Sequence, residues 1–83
     1  MLQYLILCRS LTYAQRAARV LERAGISAPV VRPPAGLGPH GCAYALRLKE
    51  RALPAALRTL EAAGLDHGKV FLLGPGGGEE VSP

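Results

Sequence analysis

The sequence predicts an α+β domain with the element order βαββαβ, and three observations carry that prediction. Two β-favouring runs, residues 3–8 (QYLILC) and 69–73 (KVFLL), frame most of the chain. Between them, two segments place apolar residues at helical spacing, and each is closed by a glycine. The two helix ends also echo one another. RVLERAGIS (19–27) and RTLEAAGLD (58–66) agree at Arg, Leu, Glu, Ala and Gly, as two βαβ halves of similar design would.

Taken in order, QYLILC is almost continuously apolar, which suits a central strand covered on at least one face. Arg9 and Ser10 break the run. A helix follows with two available N-caps: Thr12 to Gln15 reads T-x-x-Q, a capping box, and Ser10 is an equal alternative. Ala14, Ala17, Ala18, Leu21 and Ala24 form its apolar stripe, and Gly25 ends it. Residues 27–32 (SAPVVR) make a second strand. Pro29 has no N–H for the ladder and so places that strand at a sheet edge. Residues 33–41 (PPAGLGPHG) have no periodicity and form a loop. Residues 42–49 (CAYALRLK) alternate, with Tyr44, Leu46 and Leu48 on one face and Ala43, Ala45 and Arg47 on the other. Leu53, Ala56, Leu57 and Leu60 mark a second helix that tolerates Pro54 in its first turn and closes at Gly64. Residues 1–74 are expected as one domain, and 75–83 (PGGGEEVSP) as a flexible, Gly-rich C-terminal tail.

This order predicts a ferredoxin-like sandwich, in which two helices cover one face of a four-stranded antiparallel sheet of order 4-1-3-2. The topology concentrates polar chemistry at one end of the sheet. Cys8 ends the first strand and Cys42 begins the third, its neighbour, so both fall at the end that also receives the first helix N-terminus. The 33–41 loop and the turn carrying Asp66, His67 and Lys69 belong to the same end.

Composition removes several function classes. Eighty-three residues supply one core and no large buried cleft. The apolar start lacks a preceding basic segment and a following cleavage site, so it reads as a strand. No stretch approaches the roughly 20 apolar residues of a membrane span, which makes a soluble, cytoplasmic protein the expectation. Two cysteines without a CxxC pair are thiols of a reducing compartment rather than a secreted disulfide scaffold. The formal charge of +4 is spread over both helices and the loops, a weak nucleic-acid signal. Only Tyr4 and Tyr44 are available for base stacking, no RNP-like run occurs, and no nucleic acid or membrane partner is expected. The glycines of GPGGG open no helix and make no phosphate loop. No Ser-His-Asp set or paired carboxylates are present, so no catalytic residue is assigned.

Cysteine chemistry is what remains. Cys42, after a Gly-rich loop and near a helix N-terminus, reads as a reactive thiol; the alternative is a small apolar residue at a strand start. Cys8 reads as a core residue, with a resolving partner for Cys42 as the alternative. His40 and Cys42 form an H-x-C pair to which His67 adds a third candidate ligand. That spacing is too sparse for a metal site, and no metal or resident cofactor is expected. His40 otherwise serves as a solvated loop residue or a local base. Arg9 and Arg32 flank the same end, as solvated cations or as attractors of an anion.

The runs RSLTYAQRAARVLERAGI, VVRPP, GCAYALRL and LEAAGL, which cover nearly all of the ordered chain, resemble the selenium/sulfur carrier-like family of small bacterial domains. The matching positions are Ser10, Thr12, Gly25, Arg32, Pro33, Gly41, Cys42 and Gly64. The resemblance implies that Cys42 holds sulfur or selenium as a persulfide or selenosulfide between a donor, such as a cysteine desulfurase, and an acceptor enzyme. It implies supporting roles for Gly41, Ser10, Thr12 and Arg32. Ala43 departs from the family, in which glycine often follows the cysteine. Two other classes compete: a binding or regulatory module that dimerises through a sheet face or the Pro29 edge, and a thiol-dependent enzyme using His40 or His67 as base.

Overall fold

The expected strands and helices recur in the computed structural model, which describes residues 3–33, 44–74 and 77–81. The elements are β1 (Gln3–Cys8), α1 (Leu11–Arg23), β2 (Val30–Val31), β3 (Tyr44–Lys49), α2 (Leu53–Ala62), β4 (Val70–Gly74) and β5 (Gly77–Val81). A single 3-10 turn, Glu50–Ala52, leads into α2. The fold is α+β, with two helices and one sheet of order β2-β3-β1-β4-β5 in which every neighbouring pair is antiparallel.

The fifth strand corrects the four-stranded expectation, and it comes from residues assigned above to a flexible tail. GGEEV has little apolar content, but pairing is a backbone property. Gly74 faces Gly77, so two intervening residues join the strands, and Val81 falls opposite buried Val70. Glu80 lies 3.6 Å from Lys69 in an exposed ion pair that adds little by itself. The second strand is shorter than expected. Only Val30 and Val31 pair, at the sheet edge that Pro29 requires, although the Pro29 carbonyl still accepts the Arg47 N–H at 3.0 Å.

Ser10 is the N-cap of α1, in extended backbone, and its Oγ accepts the Tyr13 N–H at 3.1 Å. The Thr12 to Gln15 capping box is therefore not used. The echoed helix ends are identical closures. Ile26 N–H donates to Leu21 O and Leu65 N–H to Leu60 O, both at 2.9 Å, around Gly25 and Gly64 at φ +81° and +73°. These are six-to-one bonds that need a left-handed residue, which glycine supplies without a Cβ penalty.

β1 is buried on both faces, which explains why QYLILC does not alternate. Ile6 and Cys8 pack toward the helices with Ala14, Ala17, Leu21, Leu46, Leu60 and Val70. Leu5 and Leu7 form a second cluster on the other face with Ala45 and Phe71. Each leucine so buried is worth about 1.5–3 kcal/mol relative to exposure. Among the described residues, no helix is long and apolar enough to cross a membrane.

Candidate functional site at the end of β1

The apolar register of β1 stops at Cys8, and the chain turns outward through exposed Arg9 and Ser10 into α1. Cys8 pairs with Tyr44 across the β1–β3 ladder. Its side chain is 2% exposed, and its thiol lies 3.6 Å from the Ile6 carbonyl oxygen, which it faces as a weak donor. Cys8 is thus a buried member of the helix-facing cluster.

On the other flank of β1, the turn before β4 is held against Leu7. Gly68 N–H donates to Leu7 O, and Leu7 N–H donates to Lys69 O, each at 2.9 Å. Gly68 is required by space: a Cβ there would lie 2.6 Å from the Leu7 carbonyl oxygen. This clamp brings Asp66 and His67 beside the end of β1. His67 Nδ1 donates to the Gly68 carbonyl at 2.7 Å, which fixes the proton on that nitrogen.

Where this turn meets the end of β1 and the start of α1 is a pocket of about 200 Å³ lined by Leu7, Cys8, Arg9, Tyr13, Asp66, His67 and Gly68. Tyr13 stands in the first turn of α1. The Arg9 guanidinium lies 4.7 Å from its ring centroid, a cation–π contact. Its hydroxyl is shut off from solvent and has no hydrogen-bond partner among the described residues. Burial pushes the Tyr13 pKa above the usual 10.0; Asp66 and Cys8 push the same way, and Arg9 and Arg16 oppose them. The hydroxyl is therefore a proton-bearing donor at neutral pH.

The Ser10 cap disposes of the Tyr13 N–H, and Ala14 N–H bonds to Ser10 O, which leaves the first two N–H groups of α1 without a partner among the described residues. One of these belongs to Thr12, which is exposed. Arg32, also exposed, lies 5.9 Å from the Tyr44 ring centroid and so belongs to this end of the sheet. Cys42, Gly41 and His40 lie outside the described residues. Among the described residues, no group of three His, Cys, Asp or Glu side chains could hold a metal ion.

Sequence reading placed Cys8, Arg9, Ser10, Arg32, Asp66 and His67 at one end of the sheet, and the structure brings these described residues there. Tyr13 is not singled out by sequence reasoning, because it lies within an alanine-rich helix. Its position three residues after the cap and four after Arg9 was the available signal.

A family model described as "Putative Se/S carrier protein-like" matches residues 3–72 of the chain. No curated protein matches it, and no solved structure does.

Proposed function

The chain belongs to the Se/S carrier protein-like family, and from that premise we propose that it is a non-enzymatic carrier holding sulfur or selenium on Cys42. The observation that carries the reading is the family match itself, which spans the segment containing Cys42. Chain connectivity adds a second support. Two peptide steps of about 3.8 Å each tie Cys42 to Tyr44, and Tyr44 is the ladder partner of Cys8 at the pocket end of the sheet.

In this reading the Cys42 thiolate attacks the outer sulfur of a donor persulfide. A bond forms between Cys42 Sγ and that sulfur, the donor S–S bond breaks, and the donor cysteine leaves as a thiolate with the electron pair. No external oxidant is consumed. A selenium-bearing donor follows the same course. The terminal anion gains from the open N–H groups at the start of α1 and from Arg32, while Gly41 gives the backbone close approach. The β1 to β4 portion is a ferredoxin-like sandwich, to which β5 adds a fifth strand. Its partners are a donor such as a cysteine desulfurase and an acceptor enzyme, and its compartment is the reducing cytoplasm.

Intact-mass spectrometry of the protein after incubation with a cysteine desulfurase and cysteine or selenocysteine tests the reading. A sulfur- or selenium-sized adduct present in wild type and Cys8→Ser but absent in Cys42→Ser supports it. An unmodified wild type sinks it for those donors and favours the binding-module class.

A further inference from the structure

β5 begins beyond the family match, which ends at residue 72, and its side chains suit poorly the strand it covers. Exposed Glu80 stands opposite Phe71 and exposed Glu79 opposite Leu72, while the glycines at 77 and 78 bring no side chain to Gly74 and Leu73. Of the five rungs, only Val70 with Val81 joins two apolar side chains. Val81 is also the residue through which β5 packs on the helix-facing cluster. The Lys69–Glu80 pair is 52% exposed on both sides, too open to hold the strand. Backbone bonds therefore secure most of β5, and its two glycines lose the most conformational freedom on pairing.

We propose that β5 is an autoinhibitory strand: it occupies an edge, β4, onto which an extended, uncharged apolar segment of a partner protein docks as an antiparallel strand in its place. The incoming backbone remakes the ladder bonds that β5 gives up, so side chains decide the exchange. β-branched residues at the places of Gly78, Glu79 and Glu80 meet Leu73, Leu72 and Phe71, and three such cross-strand pairs favour the segment by about 3- to 150-fold. The tether of β5 opposes this, with an effective concentration on the order of millimolar. An acidic segment repeats the mismatch of β5 and gains nothing. The docked strand is also well placed. Val70 pairs with Ile6, and Lys69 O accepts the Leu7 N–H, so this end of β4 lies beside the end of β1. A strand antiparallel to β4 delivers its following residues there, three strand spacings, roughly 14 Å, across the sheet from β3.

The inference makes no use of Cys42 and goes beyond the carrier reading. ¹⁵N-labelled full-length protein is titrated with the acetylated, amidated peptide KGTVIVK, whose GTVIV takes the places of residues 77–81, and in parallel with KGGEEVK, which repeats β5. Saturable shifts of the β4 amides with KGTVIVK are expected, together with movement of the Glu79, Glu80 and Val81 amides to random-coil positions. KGGEEVK is expected to bind about threefold or more weakly. Val81→Asn removes the apolar anchor of β5 and is expected to tighten KGTVIVK about threefold or more, because the competing strand is weakened. The proposal is overturned if KGTVIVK gives no saturable shift up to about 2 mM, if KGGEEVK matches it, if the β5 amides keep their positions in the bound state, or if Val81→Asn leaves the affinity unchanged. Sedimentation that shows Val81→Asn pairing with itself, with no response to KGTVIVK, would assign the edge to a second copy and likewise overturn it. A sulfur adduct on Cys42 without peptide binding overturns this inference and leaves the carrier reading standing.

Discussion

Cys8 and Tyr44 face each other across the β1–β3 ladder, yet they live in different surroundings. The thiol is sealed in the core, while the tyrosine ring is partly exposed and carries the Arg32 guanidinium. The last rung of this ladder is thus the boundary between packing and chemistry, and it separates the expected consequences of changing the two cysteines.

Cys8→Ser places a hydroxyl where the side chain is 2% exposed, on the face packed against Ala14, Leu46 and Val70. The expected loss is about 1–3 kcal/mol, read as a lowered urea midpoint with an unchanged slope. A variant as stable as wild type would contradict the core assignment.

Ser10→Ala removes the oxygen that accepts the Tyr13 N–H. About 1 kcal/mol of stability goes with it, whereas Thr12→Ala, one residue inside an unused capping box, changes stability by about 0.5 kcal/mol or less. Parallel chemical denaturation of the two variants distinguishes the caps; equal losses would restore Thr12 as a partner.

Gly68→Ala drives a methyl to 2.6 Å from the Leu7 carbonyl oxygen, a backbone atom that cannot swing aside. The turn must withdraw, which strains both of its hydrogen bonds to Leu7. We expect about 1–3 kcal/mol of destabilisation and accelerated hydrogen exchange at Leu7, by NMR. Gly25→Ala is a useful contrast, because its added Cβ meets nothing within 4 Å and its cost comes only from the positive φ.

Tyr13→Phe tests the raised tyrosine pKa, whose first cause is burial. A group whose folded pKa exceeds its unfolded value contributes stability that is fully present below the unfolded pKa. That contribution is lost as pH rises through the folded one. The wild type should therefore lose stability above pH 10.0 more steeply than Tyr13→Phe, as thermal melts across pH 8–11 would reveal. Parallel curves for the two proteins would mean that the hydroxyl is as well solvated folded as unfolded.

Much of the architecture could be read from the chain because local and tertiary preferences agree. Alternation in YALRLK puts Leu46 and Leu48 on the helix-facing side, and the two Leu-Glu-x-Ala-Gly closures end both helices. β5 was hidden because the reading weighed apolar content, while GGEEV is recruited through main-chain pairing to an edge only the folded sheet presents. The site was half visible. Topology could bring Asp66 and His67 to Cys8, but Tyr13 has an ordinary helical context, and its importance depends on what surrounds its hydroxyl in space. Cys42 rests on family membership.

β5 also bears on how copies of this protein meet. Without it, Val70 to Gly74 would be an outermost strand of five uncharged residues, four of them large and apolar. Such an edge is a template for adding a strand from another molecule, and hence for aggregation. GGEEV occupies those backbone groups and presents Glu79 and Glu80 in their place, while the opposite border, β2, is two residues long. Both borders are thereby poor nuclei for stacking. The acidic C-terminal strand acts as a gatekeeper whose deletion should be felt first as lost solubility at high concentration.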